Sequence, residues 1–296
     1  RDGDMPYLDA IKENTEPTLP PPQMISYDLF KELKEAVNQF DNGETVQGDI
    51  LYSGNKQNWQ KFANSLRLIL ALRISKVDPA KGQQEFRDAL QSSGGVFANN
   101  DDNAELTYPG GAFQNPWYGI GADQGVSETV ASFLNGEDES GDGVNSGLPV
   151  TGVQDQRRFA FGLADEDGYL LGVPYGLTRD DAVKWIDLNR GWSLILTTDL
   201  DPTDAAEVEK ISYRSENSKL FVLTYADVLL ARAEASFLGW TTGIETMTMV
   251  ELYNAGIQAS WEQWGVFEMA AYNAYINDDN ISLNSSVGTV AEKLGN

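Results

Sequence analysis

Apolar residues recur every three or four positions along several stretches of the chain, the spacing of one buried helix face. Leu29, Phe30, Leu33, Ala36, Val37 and Phe40 form one such stripe, with Lys31, Glu32, Lys34 and Glu35 on the wet side. Asp41-Asn42-Gly43 ends it with turn residues. In NWQKFANSLRLILALRISKVDPAKGQQEFRDAL, residues 58–90, Trp59, Phe62, Ala63, Leu66, Ile69, Leu70 and Arg73 share a face. Asn58 is the expected N-cap. Asp78-Pro79 breaks this helix and opens the next, whose stripe is Phe86, Ala89 and Leu90. A short helix is expected over 126–134. A long one is expected from Phe221 to Leu238 with Gly239 as its C-cap, a further one over 249–264, and a last one ending near Asn277.

Between these helices the pattern dissolves. Residues 1–24 carry five prolines and read as an extended lead-in. Residues 94–125 mix Gly, Asn, Asp and Pro with Tyr108, Phe113, Trp117 and Tyr118. A loop of that length is functional or disordered, and its aromatics argue against disorder. Residues 150–177 read as short strands or extended pieces. Residues 178–218 mix turns with one apolar run, Trp192 to Leu196.

Two helix pairs share a logic. Trp59, Phe62, Ala63 and Leu66 follow the spacing of a tetratricopeptide first helix, and Phe86, Ala89 and Leu90 echo its second. Leu229, Leu230, Ala233 and Gly239, followed by Tyr253 and Gly256, repeat the scheme with small residues that let helices approach closely. No 34-residue period recurs, so spacing alone leaves divergent repeats and an ordinary helical bundle both open.

Composition narrows the chemistry. The chain has 45 acidic and 21 basic residues, a formal net charge of −24. Such a chain repels phosphate backbones, so no nucleic-acid partner is expected. It contains neither cysteine nor histidine. That excludes disulfides, thiolate catalysis, serine–histidine catalysis and the HExxH metalloprotease. No apolar run is long enough to cross a membrane. The chain opens at Arg1 without methionine and reads as a piece of a longer or processed protein.

The ordered blocks GDMPYLDAI (3–11), YDLFKELKEAV (27–37), FANSLRLILALRISKVDPA (62–80), GGVF (94–97), NPWY (115–118), VPYGL (173–177), LTYADVLLARAEASFLGW (223–240) and ELYNAGIQASWEQWGV (251–266) resemble the SusD/RagB-like outer-membrane nutrient-binding lipoproteins of Bacteroidetes. Ile69 and Leu72 depart from the arginine and methionine common at those places in the family. The resemblance implies a mainly α, SusD-like fold, with tetratricopeptide-like helix pairs on one side and a loop-rich, irregular side containing short strands. It implies a single domain over 1–296, with helical pairs at about 25–93 and 221–277 and the ligand-facing loops at about 94–220. It further implies a binding protein without catalytic activity or cofactor. Such a protein sits lipid-anchored at the cell surface, captures oligosaccharides or peptides and delivers them to a SusC-like TonB-dependent transporter.

A sugar binder needs aromatic faces and planar polar groups. Trp117, Tyr118 and Asn115 in the first loop are the expected ligand contacts, together with Trp185, Asn189, Arg190 and Trp192 around DLNRG. The same rings can instead plug loops onto the helices. Trp59, Trp261 and Trp264 sit on helical stripes and are expected in the core. Arg67 and Arg73 are expected to pair with carboxylates at helix surfaces. Asp138, Ser140, Asp142 and Gly143 fit half of a calcium loop, but position twelve is Pro149, so a solvated acidic loop is the expectation and no metal is assigned. Two other readings remain: a helical glycoside hydrolase using paired carboxylates, and a protein-interaction scaffold.

Overall fold

A computed structural model describes residues 5–7, 9, 12, 16, 18–40, 47–116, 118, 125–137, 151–162, 164, 168–178, 180–182, 184 and 215–295. The expected contacts Trp117, Trp185, Asn189, Arg190 and Trp192, and the acidic loop 138–145, lie outside these residues. The described elements are mainly helical: α1 (Pro22–Gln39), α2 (Lys56–Arg73), α3 (Pro79–Leu90), α4 (Glu128–Asn135), α5 (Arg158–Phe161), α6 (Tyr225–Phe237), α7 (Met249–Gln263), α8 (Met269–Asn277) and α9 (Val290–Gly295). The strands β1 (Ala104–Thr107) and β2 (Lys219–Leu223) form a two-stranded sheet. The chain divides into two compact units, residues 1–104 with 223–252, and residues 105–222 with 253–296.

In the first unit α2 is the central helix and packs on α1, α3 and α6. Phe30, Leu68, Ala71, Phe86, Ala89, Val228 and Ala231 are sealed in one core. Burial of these apolar faces is the main force holding the helices together. Close approach of α3 depends on Gly82, where a Cβ would lie 2.8 Å from the Ala71 carbonyl oxygen and 2.8 Å from the Trp240 ring.

Local chemistry sets the helix ends. Helix α2 starts three residues earlier than expected: Asn55, not Asn58, is the cap, and its side chain accepts from the Gln57 and Asn58 amides. Pro22, expected in the lead-in, is the first residue of α1, where its fixed φ suits a first turn. Asp78 caps α3 by accepting from the Lys81 amide at 3.1 Å, as its position before Pro79 predicts. The helix expected from Phe221 begins only at Tyr225. Residues 219–223 are strand β2, because Thr224 and Asp227 close a reciprocal capping box that fixes the helix start. At the far end Gly239 (φ 75°) lets the Trp240 amide reach the Ala235 carbonyl at 2.8 Å, a Schellman ending. Trp240 is thereby turned into the core, 6.0 Å from Phe86.

Arg67, expected at a helix surface, is buried with only 2% of its area exposed. Its Nη2 meets the equally buried Glu85 at 3.3 Å, and Lys34 and Lys81 reach the same carboxylate at 2.8 and 2.7 Å. A single carboxylate thus serves three cations, and the arginine is held inside by that charge. Arg73 is exposed and forms no salt bridge among the described residues. It borders a largely apolar groove of about 780 Å³ lined by Leu29, Leu70, Ile74 and Val77.

The second unit has its own small core of Val126, Ala131, Leu134 and Leu170. Buried Asn135 clamps it: its amide donates to the Leu170 carbonyl and its oxygen accepts from the Leu170 amide, each at 2.9 Å. The strands expected over 150–177 reduce, among the described residues, to a bridge between Ser127 and Val173 and the short helix α5. Gly172 explains the tight crossing there, since a Cβ would fall 2.4 Å from the Glu128 Cα. Trp261 is fully buried against Tyr272 and Tyr275. Trp264 is half-buried edge-on to Phe161 and Phe221. The C-terminal helix α9, which the hydrophobic pattern did not predict, is marked by a reciprocal cap between Thr289 and Glu292 of the kind that Thr224 and Asp227 make.

Candidate functional site

The stretch 104–118 starts as strand β1, and residues 215–223 carry strand β2 beside it. Where β1 ends, the chain turns through Pro109-Gly110-Gly111-Ala112-Phe113. Both glycines hold positive φ, 85° and 58°, a backbone that residues with a Cβ rarely adopt. The Phe113 amide closes the turn on the Gly110 carbonyl at 3.1 Å.

The turn is fastened on both flanks. The Tyr108 amide donates to the Ser218 carbonyl at 3.1 Å, and the Asn115 amide to the Glu216 carbonyl at 2.8 Å. The Glu216 carboxylate accepts the Gly111 amide at 2.5 Å. Asn115, one of the expected ligand contacts, is 3% exposed and gives its side-chain amide to Ser218 Oγ at 2.7 Å. Its place in the structure is that of a pin holding the loop. Tyr118, also expected to touch ligand, is half-buried, and its amide donates to the Asn115 carbonyl at 3.0 Å. The loop therefore brings Asn115 and Tyr118 together, while Trp117 between them lies outside the described residues.

The residues shown to solvent are different ones. Phe113, at the tip of the turn, is 75% exposed, and Tyr175, before Gly176, is 94% exposed. Nothing in hydrophobic periodicity points to either. The sequence signal that finds them is an aromatic beside glycines able to hold positive φ.

The buried acids have structural partners. Asp102 receives Lys61 at 2.7 Å, Glu245 is gripped by Arg232 at 2.8 and 2.9 Å, and Asp155 binds the Arg157 guanidinium fork-on at 3.0 and 2.5 Å. For Glu245, burial pushes the pKa up, but the Arg232 hydrogen bonds and charge outweigh it and hold the group below its ordinary value. Glu234 differs: burial raises its pKa and the Lys76 charge offsets this only in part. Among the described residues no cluster of acids is arranged to hold a metal ion, and no helix is long and apolar enough to cross a membrane.

Comparison with known proteins supplies the family. A SusD-like family model described as "Starch-binding associating with outer membrane" matches residues 2–296. A chitin-binding SusD homologue from Flavobacterium johnsoniae is similar at 25% identity and a TM-score of 0.66, over 91% of this chain and 50% of that one. A SusD homologue from Bacteroides vulgatus is 25% identical with a TM-score of 0.68, over 91% of this chain and 50% of that one. One from Parabacteroides distasonis shares the fold at a TM-score of 0.71 and 21% identity, over 95% of this chain and 58% of that one. The chain thus spans about half the length of these solved structures. No curated protein matches it. Its helical architecture and a family model covering nearly every residue agree, and the chain belongs to the SusD-like family of outer-membrane-associated proteins from Bacteroidetes.

Proposed function

We propose that the chain is a carbohydrate-binding protein of the outer-membrane surface, not an enzyme. It captures oligosaccharides and hands them to a SusC-like TonB-dependent transporter, and the protein is held to the membrane by a lipid anchor. The observation that carries this reading is the family match over residues 2–296. The similar solved structure named as chitin-binding supports a glycan over a peptide ligand. The two most exposed described rings, Phe113 at 75% and Tyr175 at 94%, support it further. Rings on loops of this kind stack on sugar faces, and polar side chains around them meet the hydroxyls. Trp117, Tyr118, Trp185, Asn189, Arg190 and Trp192 belong to the proposed ligand-facing set, and Asn115 supports it from beneath.

Isothermal titration of the 296-residue chain against starch-derived, chitin-derived and peptide ligands tests the reading. Saturable binding of a glycan, with no product released on long incubation, is expected. Turnover of any glycan, or binding confined to peptides, would sink it. For the transporter, affinity capture from outer membranes should retain a TonB-dependent β-barrel.

A further inference from the structure

Helix α1 and the C-terminal end of α2 line the groove of about 780 Å³ that Arg73 borders, wholly within the first unit. That volume is in the range of small-ligand sites, about 300–1,000 Å³. Helix α1 contributes Pro22, Ile25 and Leu29, and α2 with the turn after it contributes Leu70, Ile74 and Val77. Met5 adds to them. Packing leaves part of this apolar lining uncovered: Val77 is 83% exposed and Met5 41%. Single exposed apolar residues are ordinary, but apolar surface gathered in a cleft marks a binding place.

The polar side chains of the groove divide into two kinds. Ser26 donates to the Pro22 carbonyl at 3.0 Å, and Gln23 to the Tyr27 hydroxyl at 3.0 Å. Tyr27 donates to one oxygen of Asp78, and the other takes the Lys81 amide at 3.1 Å. Arg73 makes no hydrogen bond or salt bridge among the described residues. Lys34, Lys61 and Lys81 of the same unit each hold a carboxylate. The dipole of α2 suits a cation in its last turn, but it leaves the guanidinium donors unspent. We infer that the groove binds a single-chain anionic amphiphile, its apolar chain along α1 and α2 and its carboxylate on Arg73. The guanidinium fork matches the two oxygens of a carboxylate. One cation beside Asp78, in a chain of net charge −24, suits one negative charge and disfavours a phosphate dianion. The apolar lining takes the hydrocarbon out of water. This inference does not rest on the carbohydrate-binding reading.

Calorimetric titration with dodecanoate, octanoate and dodecyltrimethylammonium, all below micelle formation, tests the assignment, together with methyl NMR of isoleucine-labelled protein. Dodecanoate should saturate one site, bind more tightly than octanoate or the cation, and shift the Ile25 and Ile74 methyl signals. Arg73→Gln should weaken dodecanoate about tenfold and leave the cation bound no more weakly. Val77→Asp should weaken dodecanoate and octanoate alike. Both side chains are exposed, so the fold should survive, and thermal melting checks it. Equal affinity for dodecanoate and dodecyltrimethylammonium, or for the unaltered chain and Arg73→Gln, would overturn the assignment. So would shifts that spare Ile25 and Ile74. An acidic amphipathic peptide that moves those two signals where dodecanoate does not would overturn it in favour of a protein partner.

Discussion

Arg67 and Glu85 meet at 3.3 Å with 2% and 1% of their side-chain surface exposed, an ion pair closed off between α2 and α3. Removing one partner of a buried pair leaves the other charged and stranded. Glu85→Ala should therefore cost about 3–5 kcal/mol in urea denaturation. The double change Arg67→Met with Glu85→Leu should recover much of the loss, since Lys34 and Lys81 can turn to solvent. The pair also has a pH signature. Burial pushes the Glu85 pKa up, but hydrogen bonds and charge from Lys34 and Lys81 win and leave it below 4.5. A depressed folded-state pKa gives stability that is present above the unfolded value and lost as pH falls through the folded one. Midpoints measured below pH 4.5 should drop less steeply in Glu85→Gln than in the unaltered chain.

Asp49 organises the turn before α2, accepting amides from Leu51, Tyr52 and Gly54 and the Trp59 indole N–H at 2.9 Å. Desolvation opposes its charge, yet these donors bring its pKa down to about 2. Its contribution should be intact above pH 4 and fade between about 4 and 2. Asp49→Asn should lose stability at neutral pH and show a flatter acid unfolding curve, read by tryptophan fluorescence.

Gly82 lies inside a helix, where alanine is the better helix former by about 1 kcal/mol. Packing reverses that preference, because the added methyl meets Ala71 and Trp240 at 2.8 Å. Gly82→Ala should lower stability by about 1–3 kcal/mol. An unchanged or raised melting temperature would show that α3 shifts without cost.

Asn135 makes two 2.9 Å bonds to one residue, Leu170, in a small apolar core. Asn135→Ala leaves a buried amide and carbonyl without partners, which costs about 1–3 kcal/mol each. Hydrogen exchange should rise first at Leu170 and along α4, while α2 and α3 stay protected.

The sequence made the helices legible because their buried faces repeat at 3.6 residues, and α2, α3, α7 and α8 lie close to where that period puts them. It misplaced the Phe221 boundary because Phe-Val-Leu satisfies a buried strand as well as a helix, and the Thr224–Asp227 box decides between them. Arg67 was hidden for a related reason. A stripe pattern treats arginine as a surface residue, and its burial depends on Glu85, eighteen positions away. In the loops no period exists. The blocks resembling the family located the loop, but its pinning by Glu216 and Ser218 joins residues about a hundred positions apart. That separation is why Asn115 looked like a ligand contact and Phe113 did not stand out.

The first unit draws on residues 1–104 and 223–252, and the second on 105–222 and 253–296, so the chain passes from one to the other three times. No single cut releases either unit as one uninterrupted piece. Neither can be gained or lost by a simple terminal deletion, and a gene fusion that respects only one crossing strands half of a core. The two units are thus interleaved along the sequence, and each is complete only once the chain has returned to it.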